Sequence, residues 1–208
     1  GKGGFGDLGI RFYPPLAPLL TAAIALLTYN MYDAIWIFIL VCMFVGCLGV
    51  YLFFIDWGTP VQAACAGMLY AIVPFPLAKI YQFSLYAEFA AGSLIPFCFL
   101  FASRICRKRH WLDVVLFAVS FSLLILTHIP STVFTAISLF VYVMFIMDWR
   151  NIWRIVTSLG VAATAALLAT SFYWINVLTE VSWLAHYQDE FSTGMYSFDY
   201  WLFPNSIP

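Results

Sequence analysis

Charge is what this 208-residue sequence has least of: only 9% of it is Asp, Glu, Lys or Arg, with nine bases against ten acids. Soluble domains carry about 25% charged residues, and here hydrophobic side chains make up 64% of the chain. A soluble globule is therefore excluded. A disordered chain is excluded too, since it needs high charge and low hydrophobicity. So is a nucleic-acid partner, because nine Lys and Arg offset by acids build no basic face. Cysteine and histidine are equally thin. Cys42, Cys47, Cys65, Cys98 and Cys106 are odd in number, contain no CxxC pair and read as buried free thiols. His110, His128 and His186 lack zinc-binding spacing. A basic start, apolar core and small-residue cleavage site are missing, so no signal peptide is expected. A first residue Gly1 instead of Met, and a last residue Pro208 within a polar aromatic stretch, point to a piece of a longer protein.

What the chain does have is apolar length. Residues 12 to 32, 34 to 55, 57 to 78, 89 to 103, 114 to 147 and 155 to 179 contain no Asp, Glu, Lys or Arg. A membrane-spanning helix needs about 20 apolar residues. The run from 114 to 147 is too long for one span and is broken by Thr127-His-Ile-Pro-Ser131, where proline removes a backbone donor; it folds as a helical hairpin. Seven segments result, at about 14–28, 34–55, 60–75, 84–103, 112–128, 131–147 and 155–178. They are apolar on all sides, whereas barrel strands alternate in runs of about ten. The expected fold is an all-α membrane protein.

Orientation follows from the bases, because cytoplasmic loops are enriched in Lys and Arg. Arg104, Arg107, Lys108 and Arg109 lie in one loop, and Arg150 and Arg154 in another. Residues 104–109 and 148–154 are thus expected in the cytoplasm, with Thr127–Ser131, 74–83 and the tail from 179 outside. The first segment carries Pro14, Pro15 and Pro18 in a short apolar run, which suits a helix lying at the outer interface. About six spans plus one external juxtamembrane helix follow; a seventh full span, with Gly1 inside, is the alternative. The expected domains are an external loop with its juxtamembrane helix at 1–33, a transmembrane bundle at 34–178 and an external loop at 179–208.

The informative polar residues gather on the outer side. Glu88, at the start of the fourth segment, is either a carboxylate favoured by the helix dipole or a working group, since an intramembrane acid is costly unless paired, hydrated or functional. His128, at the hairpin tip, is a helix cap or a neighbour of Glu88 in one cavity. Arg11 and Lys79 either snorkel to headgroups or hold a phosphate. Gly46, Gly49 and Gly67 serve close helix packing.

Four blocks in order carry a resemblance: Phe12-Tyr-Pro-Pro-Leu16 after a glycine-rich stretch, Tyr86-Ala-Glu88-Phe with Pro96, Thr127-His-Ile-Pro-Ser131, and Phe172-Tyr-Trp174 with Glu180. Together they span nearly the whole chain. They resemble the 6-pyruvoyl-tetrahydropterin-synthase-related membrane domains and their YfhO-like relatives, a family name that implies no pterin chemistry. Phe83-Ser84 stand where that pattern has Arg-Gly, and Trp174-Ile-Asn176 where it has Trp-Leu-Pro.

The family in turn resembles GT-C glycosyltransferases, which take a sugar from a polyprenyl-phosphate donor at the outer membrane face. The resemblance implies a GT-C-like fold in a prokaryotic plasma membrane, a membrane-lipid environment, and a catalytic Asp upstream of Gly1. It implies Glu88 and His128 as catalytic residues. Arg11, Tyr13, Lys79, Tyr81, Tyr86, Trp174 and Glu180 would contact substrate, and a divalent metal is compatible with the chemistry. The alternative is a non-catalytic membrane subunit or a transporter-like protein. Transporters place ionisable groups or broken helices at the midplane, and the span interiors here have no charged residue.

Overall fold

The computed structural model describes residues 13–73, 86–107 and 110–184, with side chains as far as 179. All regular structure among the described residues is helical: α1 (Leu16–Thr28), α2 (Met31–Ile55), α3 (Pro60–Ile72), α4 (Tyr86–Arg107), α5 (Trp111–Thr127), α6 (Ile129–Ile146), a 3-10 turn (Trp149–Asn151), α7 (Ile152–Ala169) and α8 (Ser171–Leu184). Tyr13–Thr170 forms one compact unit, and α8 falls in another.

The sparse polar residues start and stop these helices. Asn30 caps α2 by accepting the Tyr32 amide at 2.9 Å, and Asp33 sits in the first turn, where a negative charge suits the helix dipole. Thr59 and Gln62 form a reciprocal capping box at the start of α3, with Pro60 as its first residue, where the missing proline amide is no loss. Between α1 and α2 the chain turns through Tyr29 at φ 55°, and Thr28 donates its hydroxyl to the Asn30 carbonyl at 3.0 Å.

Four helical stretches are long and apolar enough to cross a membrane: Met31–Ile55, Tyr86–Arg107, Ile129–Ile146 and Trp149–Ala169. Pro60–Ile72 and Trp111–Thr127 complete the six expected segments as shorter apolar helices, and Leu16–Thr28 is the short first helix. The seventh segment, expected as one helix over 155–178, is two. α7 stops at Ala169, and Thr170 leaves helical geometry while its hydroxyl and amide both bond the Ala166 carbonyl, at 2.8 and 3.1 Å.

α4 is the central helix: 61% of its apolar stretch is buried, against 28% for α2, 11% for α6 and 17% for the stretch ending in α7. It runs parallel to α2. Gly49 of α2 lies against Pro96 and Phe97 of α4, and Asp56 beyond α2 pairs with Arg104 near the end of α4 at 2.7 Å. α3 returns antiparallel, with Gly67 set against the Cys47 carbonyl. On the other side α4 packs against α5 and α6, where Tyr142 sits between Phe53 and Phe99 at centroid distances of 6.1 and 5.2 Å. Leu40, Phe44, Phe134, Phe145 and Leu168 remain exposed on the outside, as acyl chains, unlike water, impose no penalty on them.

Candidate functional site

The alternation of the helices sorts the described charged residues and the capping side chains to two ends. One end is basic and tied together across the chain. Arg104 holds Asp56, Arg107 donates to the Asp56 carbonyl at 3.4 Å and stacks over Trp57 at 4.1 Å, and Arg154 reaches the Ile105 carbonyl at 3.5 Å. The other end carries Asn30, Asp33, Glu88 and His128.

Glu88 stands in the first turn of α4, half-buried, between Ala87 and Phe89. Those two neighbours, with Tyr86, pack into an apolar cluster with Ala17 of α1 and Phe38, Ile39 and Cys42 of α2. The helix start is thereby fixed on one face, and the carboxylate rides on a pinned backbone. Pro96 lies within α4, so the Gly92 carbonyl lacks the donor that the residue four positions on would supply.

A further polar group approaches the same turn. A side chain on Gly92 would begin 3.5 Å from the Tyr70 hydroxyl, and the same ring overlies Gly46 of α2. Gly92 is one helical turn below Glu88, so Tyr70 of α3 brings a phenol toward the Glu88 end. Sequence reasoning missed Tyr70. Gly46, read there only as a packing residue, was the signal, because a bundle glycine makes room for a ring. Buried hydroxyls also collect toward this end: Ser93 donates to the Ala90 carbonyl at 2.7 Å, Thr127 to Leu123 at 2.6 Å and Thr132 to His128 at 2.9 Å.

His128 both ends α5 and starts α6. Its Nδ1 accepts the Ser131 amide at 3.3 Å and bonds the Ser131 hydroxyl at 2.8 Å. A ring nitrogen that accepts an amide N–H carries no proton. The imidazole is thus neutral with its proton on Nε2, a tautomer assigned from the hydrogen-bond network. His128 thus caps the start of α6, and its other ring nitrogen is a donor. Since α4 packs along both α5 and α6, Glu88 and His128 lie at the same end.

The remaining sequence candidates divide. Tyr86 is the first residue of α4 and is partly buried in the apolar cluster. Tyr13 precedes α1 and is 49% exposed. Trp174 lies on α8, and so does the backbone of Glu180. Arg11, Lys79, Tyr81 and the Glu180 side chain lie outside the described residues. Among the described residues no three His, Cys, Asp or Glu side chains come together, so these residues alone do not build the divalent-metal site that the resemblance allows.

Regular structure that is helical throughout the described residues, with three membrane-length apolar helices beside a more buried fourth and with the described charged residues at the two ends of the helices, defines a multi-spanning integral membrane protein. The family described as 6-pyruvoyl-tetrahydropterin synthase related domain, membrane protein, matches residues 10–204, and the chain belongs to that family. No curated protein and no solved structure matches the chain.

Proposed function

We propose that this chain forms the membrane-embedded part of a glycosyltransferase of GT-C type that moves a sugar from a polyprenyl-phosphate donor. The Glu88 end faces the outside of a prokaryotic plasma membrane, and residues 104–109 and 148–154 face the cytoplasm. Residues 1–33 and 179–208 are external, flanking a bundle at 34–178. The observation that carries the reading is the half-buried Glu88 carboxylate in the first turn of the most buried helix, at the end of the bundle that also holds His128. Membership of a membrane-protein family is consistent with it.

Glycosyl transfer requires a base for the acceptor and stabilisation of the departing phosphate. Glu88 takes the proton from the acceptor hydroxyl as that oxygen bonds to the anomeric carbon. The bond from this carbon to the phosphate oxygen breaks, and polyprenyl phosphate leaves with the electron pair. Arg11 or Lys79 neutralises the leaving phosphate, and His128 donates a hydrogen bond from Nε2 beside Glu88. Tyr13, Tyr81, Tyr86, Trp174 and Glu180 contact sugar or prenyl chain. Full-length protein incubated with a labelled polyprenyl-phosphate sugar and a membrane extract as acceptor source is expected to release polyprenyl phosphate and a labelled product. No release from any donor tested would overturn the proposal and favour a non-catalytic subunit.

A further inference from the structure

At the basic end, Arg154 differs from Arg104 and Arg107, which have partners, and from Arg150, which is exposed. Arg104 is satisfied by Asp56 and Arg107 by the Trp57 ring. Arg154 has no carboxylate partner among the described residues, its Nη2 reaches only the Ile105 carbonyl at 3.5 Å, and its buried Nε has no hydrogen-bond partner. It also occupies the first turn of α7, where the helix dipole opposes a positive charge. Such a cation is costly until an anion joins it.

The space for an anion is present. Arg154 lines a cleft of about 220 Å³ with Ile105, His110, Trp111, Val114 and Ser158. The cleft opens beside the start of α5, where the N-cap residue His110 makes no side-chain capping bond and Asp113 is buried in the first turn without lining the cleft. Val114 lines a second space as well, an apolar groove of about 410 Å³ between α5 and α7 that includes Ala118, Val161 and Ala165. The donor-lined cleft and the apolar groove are thus neighbours, with Val114 lining both.

We infer that Arg154, His110 and Ser158 bind the phosphate of an anionic phospholipid whose acyl chain lies in the groove between α5 and α7. The charge of Arg154, whose one hydrogen bond is a long one to a carbonyl, selects an anion, and the groove selects a phosphate that carries a hydrocarbon chain over free phosphate. The site is at the opposite end from Glu88 and does not depend on the proposed transfer reaction.

The test uses the full chain in a nonionic detergent, with lipid binding read by native mass spectrometry. Phosphatidylglycerol is expected to bind about tenfold or more tightly than phosphatidylcholine, the effect of one charge-assisted contact. The preference should weaken with added salt. Arg154→Gln should abolish it and Arg154→Lys should retain part of it. Ala165→Phe, at an exposed groove position, should weaken binding of both lipids while the protein stays folded, which keeps the test valid if Arg154→Gln does not fold. Equal binding of the two lipids, binding unchanged in Ala165→Phe, or displacement of phosphatidylglycerol by equimolar inorganic phosphate would each overturn the inference.

Discussion

Adding one methyl group at Gly67 and one at Gly160 should move stability in opposite directions. A Cβ on Gly67 would lie 2.9 Å from the Cys47 carbonyl oxygen and 3.6 Å from Tyr51 Cβ. The first of these is backbone of α2 and cannot rotate away, so α2 and α3 must part by a fraction of an ångström. Overpacking of this kind costs about 1–3 kcal/mol. A Cβ on Gly160 meets nothing within 4 Å, and there alanine gains only the helix preference over glycine, about 0.5–1 kcal/mol. Both sites lie inside helices, so that preference cancels between the variants, and their difference isolates the packing cost of roughly 1–3 kcal/mol. Equilibrium unfolding in mixed micelles, titrated with dodecyl sulfate, gives the two midpoints. Gly67→Ala should unfold earlier than wild type and Gly160→Ala no earlier. Coincident midpoints would refute the close approach of α2 and α3 at Gly67.

Asp56→Ala strands Arg104, whose partner side chain is only 10% exposed while its own is 25% exposed. The loss should fall between surface and fully buried pairs, about 1–3 kcal/mol in the same unfolding assay, whereas Arg150→Ala, at an exposed position, should stay near wild type. His128→Ala removes the cap of α6 and should cost about 1 kcal/mol, while His128→Asn, a strong capping residue, should recover most of it. In a background with the five native cysteines replaced, Arg150→Cys and Asp189→Cys should react with an impermeant maleimide from opposite sides of the membrane, position 150 from the cytoplasm. Reaction of both from one side would overturn the orientation.

Much of the bundle was legible because charge is so rare that each polar cluster marks a helix end. Asp56 to Thr59 separates α2 from α3, and His128 with Pro130 separates α5 from α6, as the residues alone suggested. Gly46, Gly49 and Gly67 were readable as contact points, since a missing side chain in an apolar helix has little use but close approach. The break at Thr170 was hidden. No charge falls between 155 and 179, and the interruption is a local backbone turn bonded to Ala166. The pairing of Asp56 with Arg104, 48 residues apart, and the lean of Tyr70 onto Gly46 and toward Gly92 depend on which helices become neighbours, which no spacing within one segment reveals. Of the candidate site, Glu88 and His128 were placed at one end by counting loops, and the packing of α4 along α5 and α6 agrees. Arg11, Lys79 and Tyr81 lie outside the described residues.

The role of Glu88 is decided by the rate of sugar transfer in Glu88→Gln, measured with full-length protein and a labelled polyprenyl-phosphate sugar. The amide keeps size and removes the base, and loss of a general base costs about a hundredfold or more in turnover. Asp33→Asn is the control, because this acid lies at the same end, exposed, and accepts only an Asn30 contact at 3.0 Å in the described chain. A hundredfold fall in Glu88→Gln with unchanged unfolding, beside near-normal transfer in Asp33→Asn, is the expected result. Undiminished transfer in a folded Glu88→Gln protein would contradict it.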